Sequence, residues 1–353
     1  MRLPGVCVLA GALATACASS PSGPSPATTG QTLQGQVVSA IDGAAAAGVA
    51  VRIGDTVNVT TDGDGRFSAG VSGPGTYPAV VTGSLIVERR TMVSAPTAQP
   101  ARLSLIPTSF DLMSFDQMFR ASNGQLHRWT DAPSLVVLAT VMAYRGGSGD
   151  QYSAVEGSLT DAEVSQLTAH LTEGLSFLTG GTFKSFANVT VERPSSGDRV
   201  TVGRPGSIVV GRYTGVVSFA HTIGFGQWAD AGDGTVTGGA IFLDNDFDRE
   251  DQRRRLLRIH ELGHALGYLH VTARTSIMNP SIGPEPTEFD RTGAIVAFQR
   301  PPGNTAPDTD PGTALRSGGT GWSVHHWRPP IACQLAPVPQ PRHRSGVFGR
   351  RPI

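Results

Sequence analysis

The chain has no net charge: lysine plus arginine and aspartate plus glutamate number 28 each in 353 residues. With no positive surplus and no basic stripe, nucleic acid is not an expected partner. Long apolar runs are missing. The run Val6 to Ala16 is well short of the ~20 residues a membrane-spanning helix needs, and no other segment reads as transmembrane. Cysteine is scarce: of Cys7, Cys17 and Cys333, two lie in or beside that first apolar run, so no intrachain disulfide is expected. What is abundant is glycine, 44 residues, and proline, 25. Together with a charged fraction of only 16%, that composition suits short strands joined by turns better than a helical bundle. The length allows two domains of roughly 100–200 residues each.

Residues 1–17 read as an export signal, with Arg2 as a minimal positive start before the apolar run. The run ends in Leu13-Ala14-Thr15-Ala16-Cys17, which resembles a bacterial lipobox, although Ala14 stands where that motif prefers leucine. The resemblance implies lipidation at Cys17 and a membrane-anchored, extracytoplasmic protein. Ordinary cleavage after Ala16 or Ala18 would instead give a secreted one. Residues 18–31 are a Ser/Pro/Gly tether that cannot bury a core.

From residue 32 to 106 short β-runs alternate with turns: Gln36–Val38, Val49–Ile53, Val57–Thr60, Tyr77–Thr82 and Leu85–Val87. The pattern predicts a small all-β sandwich. The piece Thr61-Asp62-Gly63-Asp64-Gly65-Arg66-Phe67 resembles the hairpin of carboxypeptidase-regulatory-like (transthyretin-like) modules, which are accessory and carry no chemistry. Asp62 and Asp64 raise Ca²⁺ as a second ion, but EF-hand spacing is incomplete and a glycine-rich turn explains them.

Residues 108–300 alternate strands and helices. Strands are expected at Leu126–Trp129, Leu135–Leu138, Val189–Glu192, Ser207–Val210, Val216–Phe219 and Gly239–Leu243. Thr160 and Glu163 form a capping box. Behind it Val164, Leu167, Leu171, Leu175 and Leu178 share one helical face, which Gly180-Gly181 ends. A second helix is expected from about Asp248 and a third from about Thr287. Residues 301–353, rich in Pro, Gly, Thr and Arg, read as a disordered tail. The fold class is therefore α+β, an all-β module followed by an α/β domain.

The chemistry concentrates in His260-Glu261-Leu262-Gly263-His264-Ala265-Leu266-Gly267-Tyr268-Leu269-His270. His260 and His264 are four apart and share a helical face, while Ile259, Leu262 and Leu266 anchor another. Gly267 can take positive φ and turn the chain back, which returns His270 to the same point. Three neutral imidazoles suit a catalytic Zn²⁺ whose fourth tetrahedral position stays open. Glu261 is placed as the general base. The stretch matches H-E-x-x-H-x-x-G-x-x-H throughout, and the sequence resembles a metzincin zinc protease. Ser276-Ile277-Met278-Asn279-Pro280 resembles the clan's Met-turn, with Met278 as an apolar floor under the metal. Met-Asn-Pro and the helix at Thr287 are similar to matrixins.

That resemblance implies a zincin-like α/β metalloprotease domain over 108–300, acting on protein or peptide bonds. It also implies a substrate-pairing edge strand through Gly239, Ala240 and Ile241, against which an ordinary strand with glycines at a bulge is an equal reading. The chain departs from the subfamilies: Val271 follows the third histidine, no tyrosine lies two places after Met278, and no cysteine-switch propeptide precedes the domain. Cys333 lies on the wrong side of the domain order, so latency by thiol ligation is not expected. Asp244 and Asp246 fit a helix cap as well as calcium. His127, His170 and His221 read as structural. His325-His326 receives no role. The alternative to an enzyme is a non-catalytic surface binding protein with a zincin-like fold; a third reading is a cell-wall hydrolase or a self-processing enzyme. An intact Glu261 favours catalysis.

Overall fold

A computed structural model describes residues 30–120, 123–146, 149–312, 326–327 and 331–335. The signal, Cys17 and most of the tether lie outside the described residues. The protein is a mixed α/β structure in which sheet predominates. No helix among the described residues is long and apolar enough to cross a membrane.

Seven strands come first: β1 (Gln31–Ser39), β2 (Ala50–Ile53), β3 (Val57–Thr60), β4 (Arg66–Val71), β5 (Gly75–Thr82), β6 (Arg89–Ala95) and β7 (Ala101–Leu105). They form two sheets, β4-β1-β7 and β3-β2-β5-β6. In β2 and β4 the burial alternates strictly, so Val51, Ile53, Phe67, Ala69 and Val71 point inward to one apolar cluster. At roughly 25 cal/mol per Å² of apolar surface, each fully buried valine or larger side chain stabilises by about 1.5–3 kcal/mol. Asp62 Oδ1 accepts from the Asp64 and Arg66 N–H groups and shapes the turn into β4. Leu85–Val87 forms no strand, only a bridge from Ile86 to Pro107.

The remaining elements are α1 (Leu112–Phe119), β8 (Ser134–Ala143), β9 (Gln151–Ser158), α2 (Asp161–Leu178), β10 (Val189–Glu192), β11 (Arg199–Thr201), β12 (Ser207–Thr214) and α3 (Val216–Ala220). There follow β13 (Gly224–Asp230), β14 (Val236–Asp244), α4 (Asn245–Glu250), α5 (Arg254–Ala265), β15 (Ser281–Ile282), α6 (Glu288–Phe298), β16 (His326–Trp327) and β17 (Ile331–Leu335). The large sheet runs β11-β9-β8-β12-β14-β13-β17-β15, with β10 on β8 and β16 on β13. Strands β8, β12 and β14 are parallel and almost wholly buried, and β13 is antiparallel to β14.

Thr160 and Glu163 cap α2 reciprocally, and its five spaced apolar residues are all buried. Gly174 sits where a Cβ would lie 3.1–3.2 Å from Leu262 and Ile259, so a glycine here lets α2 approach α5 closely. The helix expected from about Thr287 is α6, which Thr287 caps with Asp290 closing the box.

Several elements differ from expectation. Val216–Phe219 is the short helix α3, which begins after Gly215 at φ 89° and leaves Val217 and Phe219 exposed. Leu126–Trp129 makes only isolated bridges. The helix expected from Asp248 is two, because Asp251 adopts extended backbone between α4 and α5. The supposedly disordered tail is folded at least through Asp310, where a buried charge cluster holds it. Arg300 binds Asp308 (2.7 and 2.8 Å) and the Ser104 hydroxyl, while Asp310 takes Arg89 and Thr91 from β6. Further on, β16 and β17 join the large sheet.

One network positions the long helices. The fully buried Asp248 of α4 accepts from Arg212 Nε (2.7 Å) and from Arg258 Nε and Nη2 (2.7 and 2.8 Å). Arg212 on β12 also reaches Glu163 on α2, and Arg258 on α5 meets His170 Nδ1 on α2 at 3.1 Å. Sheet, α2, α4 and α5 are thereby fixed to one another around buried charge. Such groups are tolerated only when fully paired.

Candidate metal centre

Helix α5 carries His260, Glu261 and His264, all with no exposure, and leaves the helix at Gly267, whose φ is 103°. A side chain at Gly267 would also press on His127 and Val236. The chain turns and brings His270 back. Nε2 of His260 lies 3.0 Å from that of His264 and 3.2 Å from that of His270, with His264 to His270 also 3.2 Å.

The tautomers follow from the other ring nitrogens. His260 Nδ1 is 2.7 Å from the Ile277 carbonyl and His264 Nδ1 is 2.7 Å from the Tyr268 carbonyl. A carbonyl can only accept, so both Nδ1 atoms carry the proton and both Nε2 atoms present lone pairs. Burial depresses His260 to about 3 and His270 to about 4, and it drives His264 well below the usual imidazole range, assisted by its two neighbours. Two buried lone pairs thus face each other at 3.0 Å with no proton to share, an arrangement that a cation between them would relieve. Ligand bonds of about 2.0–2.1 Å around a tetrahedral ion would space such nitrogens by about 3.3 Å, close to the separations seen.

Met278 packs under the helix between the two histidines. A Cβ on Gly263 would overlap its Sδ and come within 2.9 Å of Cε, so glycine and methionine fit as a pair. The turn that holds Met278 is tied at several points. Val271 N–H donates to the Met278 carbonyl, Asn279 Nδ2 donates to the Val271 and Arg274 carbonyls, and Asp290 accepts from Ser276 Oγ and Ile277 N–H. Asp290 therefore caps α6 and braces the loop whose carbonyl orients His260.

Glu261 is fully buried, and neither carboxylate oxygen has a hydrogen-bond partner. Burial raises its pKa well above the ordinary range. The nearby Gly226 N–H works against that without reaching hydrogen-bond geometry. On β13, Gly224 and Gly226 face α5: a Cβ would come 3.2 Å from Glu261 Oε1 in the first case and 2.6 Å from His264 Cβ in the second. These glycines let the strand lie against the histidine helix. Their i, i+2 spacing is the one sequence signal that was available and missed.

The expected edge strand is misplaced. Gly239, Ala240 and Ile241 belong to β14, whose two sides are taken by β12 and β13, so no peptide can add there. Gly239 instead accommodates α5, since a Cβ would lie 3.0 Å from the Ala265 carbonyl. The strand beside the histidines is β13. It pairs with β17 through Gly224↔Cys333, Phe225↔Ala332 and Gly226↔Ile331.

Cys333, set aside because it follows the domain, is buried at the site. Its sulfur and one ligand atom each of His260 and Glu261 lie within 4.8 Å of one another. Burial, reinforced by Glu261, pushes the thiol pKa up, and an Ile282 N–H interaction opposes this. Among the described residues, two groups of three His, Cys, Asp or Glu side chains converge closely enough to hold a metal, the three histidines and this His260-Glu261-Cys333 set, and neither includes the aspartates weighed for calcium. Asp244 caps α4 through the Phe247 N–H. His127 pairs with the Gln125 carbonyl, and His221 terminates α3 in the left-handed region.

No protein-family model matches the chain, and no curated protein matches it.

Proposed function

We propose that the protein is a zinc-dependent endopeptidase of the metzincin kind, similar to matrixins, with His260, His264 and His270 as ligands and Glu261 as base. The observation that carries this reading is the buried pair of proton-free Nε2 atoms 3.0 Å apart, beside a buried carboxyl with no partner. Zinc, when bound, polarises a scissile carbonyl and makes water more acidic. The rest falls to the chain. The Ile277 and Tyr268 carbonyls fix the ring orientations, and Met278 supports the helix beneath them. Glu261, beside the histidines and without a partner of its own, can take a proton from water at one oxygen and deliver it to the departing amine. Strand β13 runs beside the histidine helix, and its outer side at Gly224–Gly226, which β17 takes in this structure, is where an extended peptide would pair, implying tolerance of substrate sequence.

The N-terminal strands fit an accessory sandwich of the carboxypeptidase-regulatory-like type, and export with lipidation at Cys17 remains part of this proposal. The binding-protein alternative would not need the orphaned base. Glu261→Gln keeps shape and removes the base, so it is expected to retain zinc and its melting curve while cleavage of quenched peptides falls at least ~100-fold. Elemental analysis, thermal unfolding and hydrolysis, with and without chelator, are to be measured on the same preparations. Equal cleavage by both proteins would sink the assignment of the base.

A further inference from the structure

The large sheet does not end at β13. Strand β17 is paired antiparallel to β13 through Ile331–Cys333 and, further along, parallel to β15 through Gln334 and Leu335, so it is tied at both ends across the β13 edge. Its centre is pinned: the Cys333 carbonyl accepts from the Ile223 N–H and from the Thr222 hydroxyl. Opposite the strand stand the two glycines of β13 and the unpartnered carboxyl of Glu261. The sulfur of Cys333 lies within 4.8 Å of a ligand atom of His260 and of a carboxylate oxygen of Glu261.

We propose that β17 is a built-in occupant of the cleft, an autoinhibitory strand that covers the β13 edge and seats the Cys333 side chain between His260 and Glu261. The proposal rests on the hydrolytic reading of the centre, and it adds how that centre is kept shut. A peptide pairing with β13 at Gly224–Gly226 requires the same backbone groups that β17 uses, so strand and substrate exclude each other. Departure of β17 frees the edge and clears the space beside Glu261 in one movement. Activity then scales with the fraction of molecules in which the strand is out.

The test uses the full chain with Cys7→Ser and Cys17→Ser, so that Cys333 is the one remaining thiol. Its reaction with an aromatic disulfide reagent is followed in parallel with hydrolysis of a quenched peptide. The thiol is expected to react at least ~100-fold more slowly in the folded chain than in urea, and excess extended peptide should speed that reaction. Cys333→Ala is expected to hydrolyse peptide at least ~10-fold faster than the parent, with little change in melting temperature. If the alanine variant folds poorly, Cys333→Ser, closer in size, gives the same comparison.

A thiol that reacts as fast in the folded chain as in urea overturns the proposal. So does protection that competing peptide leaves unchanged. If the parent hydrolyses peptide and neither cysteine variant is faster, β17 is an ordinary sheet strand. If no protein hydrolyses anything, including the Cys333→Ala chain, the peptidase reading fails by itself, and thiol protection with and without peptide still decides whether β17 occupies a peptide-binding cleft. The Glu261→Gln comparison repeated in the Cys333→Ala chain separates a latent enzyme from an inactive one.

Discussion

Removing Asp248 should destabilise the protein more than any nearby surface change, because it is the shared counter-ion of two guanidinium groups. It accepts three hydrogen bonds of 2.7–2.8 Å, two from the fully buried Arg258 and one from the nearly buried Arg212. In Asp248→Ala, Arg212 keeps Glu163, but Arg258 keeps only the His170 contact at 3.1 Å. Breaking a buried pair on one side typically costs about 3–5 kcal/mol, since a charge is left without water or partner. Total stability is commonly about 5–15 kcal/mol, so the loss is a large share of it. At roughly 2–4 °C per kcal/mol the melting temperature should fall by about 6–20 °C. The informative control is Asp248→Leu with Arg258→Met, which removes charge from both sides and should recover much of the loss. Denaturant unfolding of the single and double variants gives both values. A single variant costing under about 1 kcal/mol, or a double no better than the single, would show that water reaches Arg258 and that the pairing argument is wrong.

Gly263→Ala brings a Cβ onto Met278 Sδ, so it should cost about 1–3 kcal/mol and weaken metal retention; adding Met278→Ala should restore part of both, read by unfolding and elemental analysis. For pH, burial works to raise Glu163, but Arg212 and the Thr160 N–H and hydroxyl outweigh it and hold the carboxyl at about 2. Its pKa is below that of the unfolded chain, so its stabilisation is present above about 4.5 and lost as pH falls towards about 2; Glu163→Gln should flatten the pH–stability curve in that window. Deleting residues 31–106 removes Ser104, Arg89 and Thr91 from the cluster at Arg300, Asp308 and Asp310. The shortened protein should therefore be less stable and lose protease resistance at residues 300–310, even though the three histidines lie elsewhere.

The histidine cluster was legible in the sequence because helical geometry makes spacing a statement about space: four residues set His260 above His264, and a glycine permits the turn to His270. The capping box at Thr160 was legible for the same reason, since donor and acceptor are three residues apart. The errors came from distance along the chain. Nothing local tells Gly239 that β12 and β13 will occupy both its sides, or tells Cys333 that a strand after a Pro- and Gly-rich stretch will pair with Gly224. Val216–Phe219 reads as β by propensity, yet Gly215 in the left-handed region starts a helical turn there. The charges at Asp248, Arg258 and Arg300 look like ordinary surface residues until the fold encloses them.

The cluster joining β6 to residues 300–310 also bears on the order in which the molecule can be completed. During synthesis the chain emerges from its N-terminus. Arg89 is ready some two hundred residues before Asp310, the group that satisfies it at 2.8 Å. Until then the first two sheets hold a cation facing inward with only the Ser104 carbonyl to meet it. They cannot close in their final form. A chain stopped short of Asp308 and Asp310 would leave that defect permanently open, so the pairing acts as a check that the histidine-bearing portion has been made before the first portion locks.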